Sequence, residues 1–152
     1  MKIQDDLTKY ISTALNNTLP EKTKIKTRFH LLDAIVSILT GRLLPPGQKG
    51  FNFSKNQGGV QEATLLGNNI KVSAINAAFS NGMAAHANET DDTHTKGRFH
   101  PGCAIIPTTL AIAEKENLTS EEIFKGIALG YDVGVRFTTS LGYKTPKTSI
   151  FA

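Results

Sequence analysis

Apolar and small side chains in this chain recur at intervals of three and four residues, and no alternation runs long enough for a real sheet. That period matches the turn of an α-helix and leaves little material for a sheet. Ile3, Leu7, Ile11 and Leu15 mark a helix over about residues 4–16. Pro20 suits the first turn of a second helix, whose apolar positions Ile25, Phe29, Leu32, Ile35, Val36 and Leu39 keep helical spacing up to Gly41. Gly41 fits a C-cap, and Pro45-Pro46 blocks continuation. Residues 42–62, rich in Gly, Pro, Asn and Gln, read as a long surface loop. Ala63 to Leu66 reads as a short extended piece before a turn at Gly67-Asn68-Asn69.

The second half keeps the period with smaller residues. Ser73 can cap a helix over about 74–89, rich in Ala, Ser and Gly and therefore suited to close packing. A polar segment, 88–102, follows, and a helix resumes through Ile105, Ile106, Leu110 and Ile112 with Pro107 expected in its first turn. Thr119 and Glu122 form a capping box for a helix over about 120–140. Gly126, Gly130 and Gly134 lie on one face of that helix, where each weakens it by about 1 kcal/mol relative to Ala. A close helix–helix contact accounts for them. The expectation is one all-α domain over residues 1–152, with an irregular tail at 141–152.

Composition narrows the function classes. The net charge is +4 and the pI about 9.2, which raises the question of nucleic acid. The densest basic stretch, Lys22, Lys24, Lys26 and Arg28, reads as a solvated helix face. Tryptophan is absent and no aromatic residues interleave with the basic ones, so no nucleic-acid partner is expected. An anionic small molecule suits the charge equally well. No apolar run approaches the roughly 20 residues of a membrane helix, and the acidic start does not resemble a signal peptide. One cysteine, Cys103, excludes an internal disulfide and a Cys-only zinc site. A cytoplasmic location is expected.

Chemistry concentrates in one place. Between His86 and His100 lie three of the four histidines, the carboxylates Glu89, Asp91 and Asp92, and the cations Lys96 and Arg98. Three readings of this segment stand side by side. His86 and Glu89 share a helix face, and Asp91, Asp92, His94 and His100 can complete a metal shell, though no HExxH-like spacing is present. Alternatively, a histidine performs acid–base catalysis on an anionic substrate, with Lys96 and Arg98 holding carboxylates and Thr93 donating a hydrogen bond. In the third reading Asp91-Asp92-Thr93 caps a turn and the histidines are solvated. Cys103 reads as a small residue packing beside His100, and His30 as structural or partly exposed.

Several stretches together resemble the N-terminal part of the MmgE/PrpD family, which includes 2-methylcitrate dehydratase and cis-aconitate decarboxylase. They are Leu31-Leu32-Asp33 running to Gly41, Asn76 to His86, Asp91-Asp92-Thr93-His94, His100-Pro101-Gly102 with Ile105-Ile106-Pro107, and Gly126 to Arg136. The resemblance implies a helical domain that is paired with a second α+β domain in full-length, usually dimeric members. It implies lyase chemistry on small di- or tricarboxylates without metal or cofactor. It also implies catalytic roles for Glu89, Thr93 and His100. Members commonly carry Asp where this chain has Glu89, and the extra methylene moves that carboxylate outward. Around the substrate we expect Asp92, His94, Lys96 and Arg98, with Asp91 fixing the loop. Members are longer, and their later part supplies a catalytic lysine. This chain is therefore expected to be a truncated or split member, weak in turnover alone, and to pair with a second copy or a second chain. From a different class, the alternative is a non-catalytic helical interaction module.

Overall fold

A computed structural model describes residues 2–141. Helices dominate it: α1 (Ile3–Asn16), α2 (Glu21–Gly41), α3 (Pro45–Gln57), α4 (Ala74–Ala85), α5 (Gly102–Glu116) and α6 (Ser120–Ser140). A two-stranded hairpin, β1 (Ala63–Leu65) and β2 (Ile70–Val72), is the one sheet among the described residues. The expected irregular tail lies outside the described residues, apart from Leu141. No helix among the described residues is long and apolar enough to cross a membrane.

α4 sits at the centre and packs against α2, α3 and α5. Its small residues make this possible. Ala74, Ala77, Ser80, Asn81, Ala84 and Ala85 are all buried. Gly41 at the end of α2 comes so close that a Cβ there would stand 1.9 Å from the Ala84 carbonyl oxygen. Ser73 caps α4 as expected, its side chain accepting from the Asn76 amide. The helix ends at Ala85 rather than near 89, so His86 belongs to the loop that follows.

The expected surface loop at 42–62 is corrected by α3. Pro45-Pro46 blocks α2, but at the first positions of a new helix a missing N–H costs nothing and the fixed φ favours initiation. Gly47, Gly50 and Ser54 then form the buried face. A Cβ at Gly47 would stand 2.3 Å from the Gly41 carbonyl, and Ser54 Oγ donates to the Asn76 carbonyl at 2.9 Å. The glycines that suggest a loop are contact residues of a packed helix.

The hairpin pairs Ala63 with Val72, Thr64 with Lys71 and Leu65 with Ile70, turning through Gly67 at φ +78°. Its outer backbone groups are satisfied by helices. Asn81 bonds the Leu66 amide and the Thr64 carbonyl, each at 3.0 Å, and Glu114 accepts from the Thr64 amide and hydroxyl, both at 2.7 Å.

Two further expectations need adjusting. Pro107 is buried well inside α5, which begins earlier than its position suggests. Proline there leaves the Cys103 carbonyl without its i+4 amide. On α2, the large apolar residues Ile25, Phe29, Leu32, Val36 and Leu39 are exposed, while Thr27, Ala34, Ser37 and Ile38 are buried. The helix carries apolar residues on more than one side, and the close approach to α4 selects the side with small ones. The capping box of α6 is present. Its glycine ladder faces α5, with Gly126 against Thr109 and Gly130 against Ile105.

Candidate functional site

Residues 86–101 connect α4 to α5 across one end of the helical layer. Their backbone turns twice through conformations that L-residues seldom adopt, at Glu89 (φ +52°) and Arg98 (φ +50°). Between these points the loop is folded around two adjacent carboxylates that point to different partners.

Asp91 faces inward, its side chain fully buried. His86 Nδ1 lies 3.1 Å from Asp91 Oδ1, and His100 Nδ1 lies 3.5 Å from the same oxygen. The two imidazoles lie with their centroids 4.7 Å apart and their planes inclined at 58°. Thr93 Oγ1 stands 3.4 Å from His100 Nδ1. Cys103, in the first turn of α5, donates from Sγ to the His100 carbonyl at 3.1 Å, in keeping with a residue packed beside His100. Burial, reinforced by the nearby Asp91 charge, pushes the Cys103 thiol up to about 12.

Asp92 turns the other way and ties three helices. Its Oδ1 accepts from the Gly102 amide at 2.8 Å, at the positive end of α5. Its Oδ2 lies 2.8 Å from His30 Nδ1 on α2 and accepts from the Tyr131 hydroxyl on α6 at 2.6 Å. The His30 and Tyr131 rings are also in contact, with centroids 4.6 Å apart and planes tilted by 38°. Burial and the Asp92 carboxylate hold the Tyr131 hydroxyl far above its ordinary value, so it remains a donor.

Beside this knot lies a cleft of about 540 Å³ between α2 and α6. Lys22, Lys26 and His30 line it from α2, Thr93 and His94 from the loop, and Tyr131 and Asp132 from α6. The basic stretch read as a solvated face thus turns two of its lysines toward a concavity.

The expected site residues divide. Thr93 and His100 are brought together around Asp91. Glu89 is exposed on the preceding turn. Asp92, expected at the substrate, has both oxygens engaged by protein groups. His94 reaches the cleft while its Nδ1 accepts from the Gly97 amide at 2.9 Å. Lys96 and Arg98 are exposed on the turn between the bridged pair His94 and Phe99. Sequence reasoning undervalued Asp91 as a hub, and missed His30 and Tyr131 as its neighbour's partners. For His30 a signal existed: Lys22, Lys26 and His30 follow one another at four-residue spacing on one helix face.

No curated protein matches this sequence. The family model described as the MmgE/PrpD N-terminal domain matches residues 5–151, nearly the whole chain. With the helical architecture, and the loop motif carried between α4 and α5, that match establishes that the chain belongs to the MmgE/PrpD family and comprises its N-terminal domain.

Proposed function

We propose that this domain supplies one wall of a lyase site for small di- or tricarboxylates of the 2-methylcitrate or cis-aconitate kind. The observation that carries the reading is the placement of His100. Its Nδ1 faces the buried Asp91 carboxylate and Thr93 Oγ1, which leaves Nε2 as the nitrogen able to exchange a proton. A carboxylate behind a histidine fixes the ring and its tautomer.

The chemistry asks for such a group. In dehydration, a C–H proton beside a carboxylate passes to a base, its electron pair forms the double bond, and the hydroxyl leaves with a proton as water. In decarboxylation, the C–C electron pair stays on carbon as carbon dioxide departs, and a proton is delivered there. Both routes develop negative charge next to a carboxylate and need fixed donors and a positioned proton carrier. In this reading His100 moves the proton, Thr93 donates to a substrate oxygen, and Glu89 orients the substrate from the turn. Lys22, Lys26, Lys96 and Arg98 raise the local concentration of the anion. Asp92 positions the loop. A reducing, cytoplasmic setting suits the single protonated thiol.

The test is a titration of the purified, isotopically labelled chain with 2-methylcitrate, citrate and cis-aconitate, read by amide chemical shifts and by product formation. We expect shifts centred on Thr93 and His100 that His100→Ala and Thr93→Val both weaken by about tenfold or more. Binding to none of the three acids, or binding indifferent to both substitutions, overturns the reading.

A second reading, a helical module without catalytic activity, is favoured by α2. Phe29 is 66% exposed, Leu32 58% and Val36 52%, all along one side of the helix. Such a surface suits association with a second copy or a second chain. Light scattering of the purified chain distinguishes a monomer from an assembly.

A further inference from the structure

We infer that a second cavity, walled by α3, α4 and the turn of the hairpin, is a binding site for a small hydroxy-monocarboxylate. The inference is independent of the lyase reading, since no residue of the 86–101 segment or of the α2–α6 cleft lines this cavity. Its volume is about 330 Å³, at the lower end of the range of about 300–1,000 Å³ that small-molecule sites occupy. Arg42 closes it just after α2, Gln48 lines it from α3, Asn68 from the hairpin turn, and Ser80 and Asn81 from α4.

Arg42 is the first sign of a ligand. Its guanidinium has no hydrogen-bond or ion-pair partner among the described residues, although the side chain is only half-exposed. Polar groups in such positions are ordinarily paired. Nε is sealed under the hairpin turn, where a Cβ at Gly67 would stand 2.6 Å from Nε and 2.8 Å from Cδ. Gly67, at φ +78°, therefore serves both the turn and the seat of the guanidinium. Among the described residues that are not exposed, Nε alone is both sealed and unpartnered. The two Nη nitrogens, equally unpartnered, are thus accessible. They form the open end of the fork, whose parallel N–H groups match the two oxygens of a carboxylate.

Ser80 is a second and separate sign. The residue is 4% exposed, and its hydroxyl has no partner among the described residues. It is not a sealed atom either, so it opens on the cavity that it lines. A hydroxyl both donates and accepts, which suits a ligand hydroxyl beside the carboxylate. Asn81 forms fixed wall, its Oδ1 and Nδ2 already held by the Leu66 amide and the Thr64 carbonyl. Gln48 is likewise tied, donating to the Leu43 carbonyl at 2.9 Å. Charge sets the class of ligand. Arg42 is the one cation in the lining, and no carboxylate lines it. One bound carboxylate balances that charge. An amino acid would bring in an ammonium without an anion to meet it, and a di- or tricarboxylate a second anion without a cation.

The experiment titrates the purified, ¹⁵N-labelled chain with L-lactate and, in parallel, with L-alanine, citrate and inorganic phosphate. Amide shifts and the Arg42 Nε–H resonance are the readouts. We expect lactate to shift Gly67, Asn68, Ser80 and Asn81 saturably, to move the Arg42 resonance, and to leave Thr93 and His100 in place. Alanine, citrate and phosphate should bind at these residues about tenfold more weakly or worse, for want of a counter-charge. Arg42→Lys keeps the charge but loses the fork, and should weaken lactate by about tenfold or more. Ser80→Ala should weaken it by about fivefold. The comparison of the four ligands uses the unaltered chain and requires no variant to fold. Absence of a saturable shift with lactate, shifts confined to residues 86–101, alanine or phosphate binding as tightly as lactate, or parental affinity in a folded Arg42→Lys overturns the assignment.

Discussion

Replacing Gly41 by alanine tests whether the closeness of α2 and α4 holds the fold together. On propensity alone the change should help, since alanine is favoured over glycine in a helix by about 1 kcal/mol. Geometry opposes it. The new Cβ would lie 1.9 Å from the Ala84 carbonyl oxygen and 3.1 Å from Ala87 Cβ. The nearer obstacle is the backbone of α4, which cannot swing aside as a side chain can, so the helices must separate by more than an ångström, and their neighbours lose contact with them. Overpacking of this kind costs about 1–3 kcal/mol, and a backbone-on-backbone clash belongs at the upper end. We expect Gly41→Ala to lose about 2 kcal/mol net. For a chain of this size each kcal/mol moves the midpoint by about 2–4 °C, so the Tm should fall by about 4–8 °C. Gly134→Ala is the matched control. There the nearest atoms, on Ile105 and Phe99, would stand 3.8 Å away, an ordinary contact. That variant should gain about 0.5–1 kcal/mol and raise Tm by about 1–4 °C. The assay is thermal unfolding followed by far-ultraviolet circular dichroism. A Gly41→Ala midpoint within about 1 °C of the parent, or equal losses in both variants, would refute the packing argument.

Other perturbations probe the site and its supports. Tyr131→Phe removes the 2.6 Å hydrogen bond to Asp92 and should cost about 1–2 kcal/mol in chemical denaturation, with little change in m-value. Stability should fall as pH rises from about 9 toward about 12, because the folded state keeps the Cys103 proton that the unfolded state releases; Cys103→Ser should flatten that slope in unfolding experiments across the range. Burial opposes ionisation of Glu114, but Lys71 and Thr64 more than offset it and hold its carboxyl below the usual range. Its contribution is therefore present at neutral pH and lost under acid conditions. Glu114→Ala should cost about 1–3 kcal/mol and speed amide exchange in β1 and β2.

Much of this architecture is legible in the sequence because local chemistry decides it. The Thr119–Glu122 box and the Ser73 cap need only neighbours in the chain, and both are present. α3 escapes that logic because glycine and proline carry two meanings. They break helices in isolation, yet they start one and permit close packing when another helix lies alongside. The burial of α2 is equally non-local. Its sequence offers several apolar stripes, and only the position of α4 decides between them. In the candidate site, the density of ionisable residues identifies the segment, but not which carboxylate faces which partner. Asp91 and Asp92 are adjacent and chemically identical, and the three-dimensional course of the loop sends one to His86 and His100 and the other to His30 and Tyr131. The last two lie 62 and 39 positions away from Asp92 in the chain, a separation that no periodicity reports.

The grip of Asp92 on three helices also bears on how this molecule fluctuates. A long connection with little regular structure ordinarily opens by itself, at a free energy well below that of global unfolding. Here, swinging the 86–101 segment outward strips the first turn of α5 of its carboxylate and leaves His30 and Tyr131 facing each other without their shared acceptor. Opening the loop is thus coupled to loosening α2, α5 and α6 together. The segment that bears the candidate site should behave as part of the slowest-exchanging cooperative unit, so that its geometry is set before any ligand arrives.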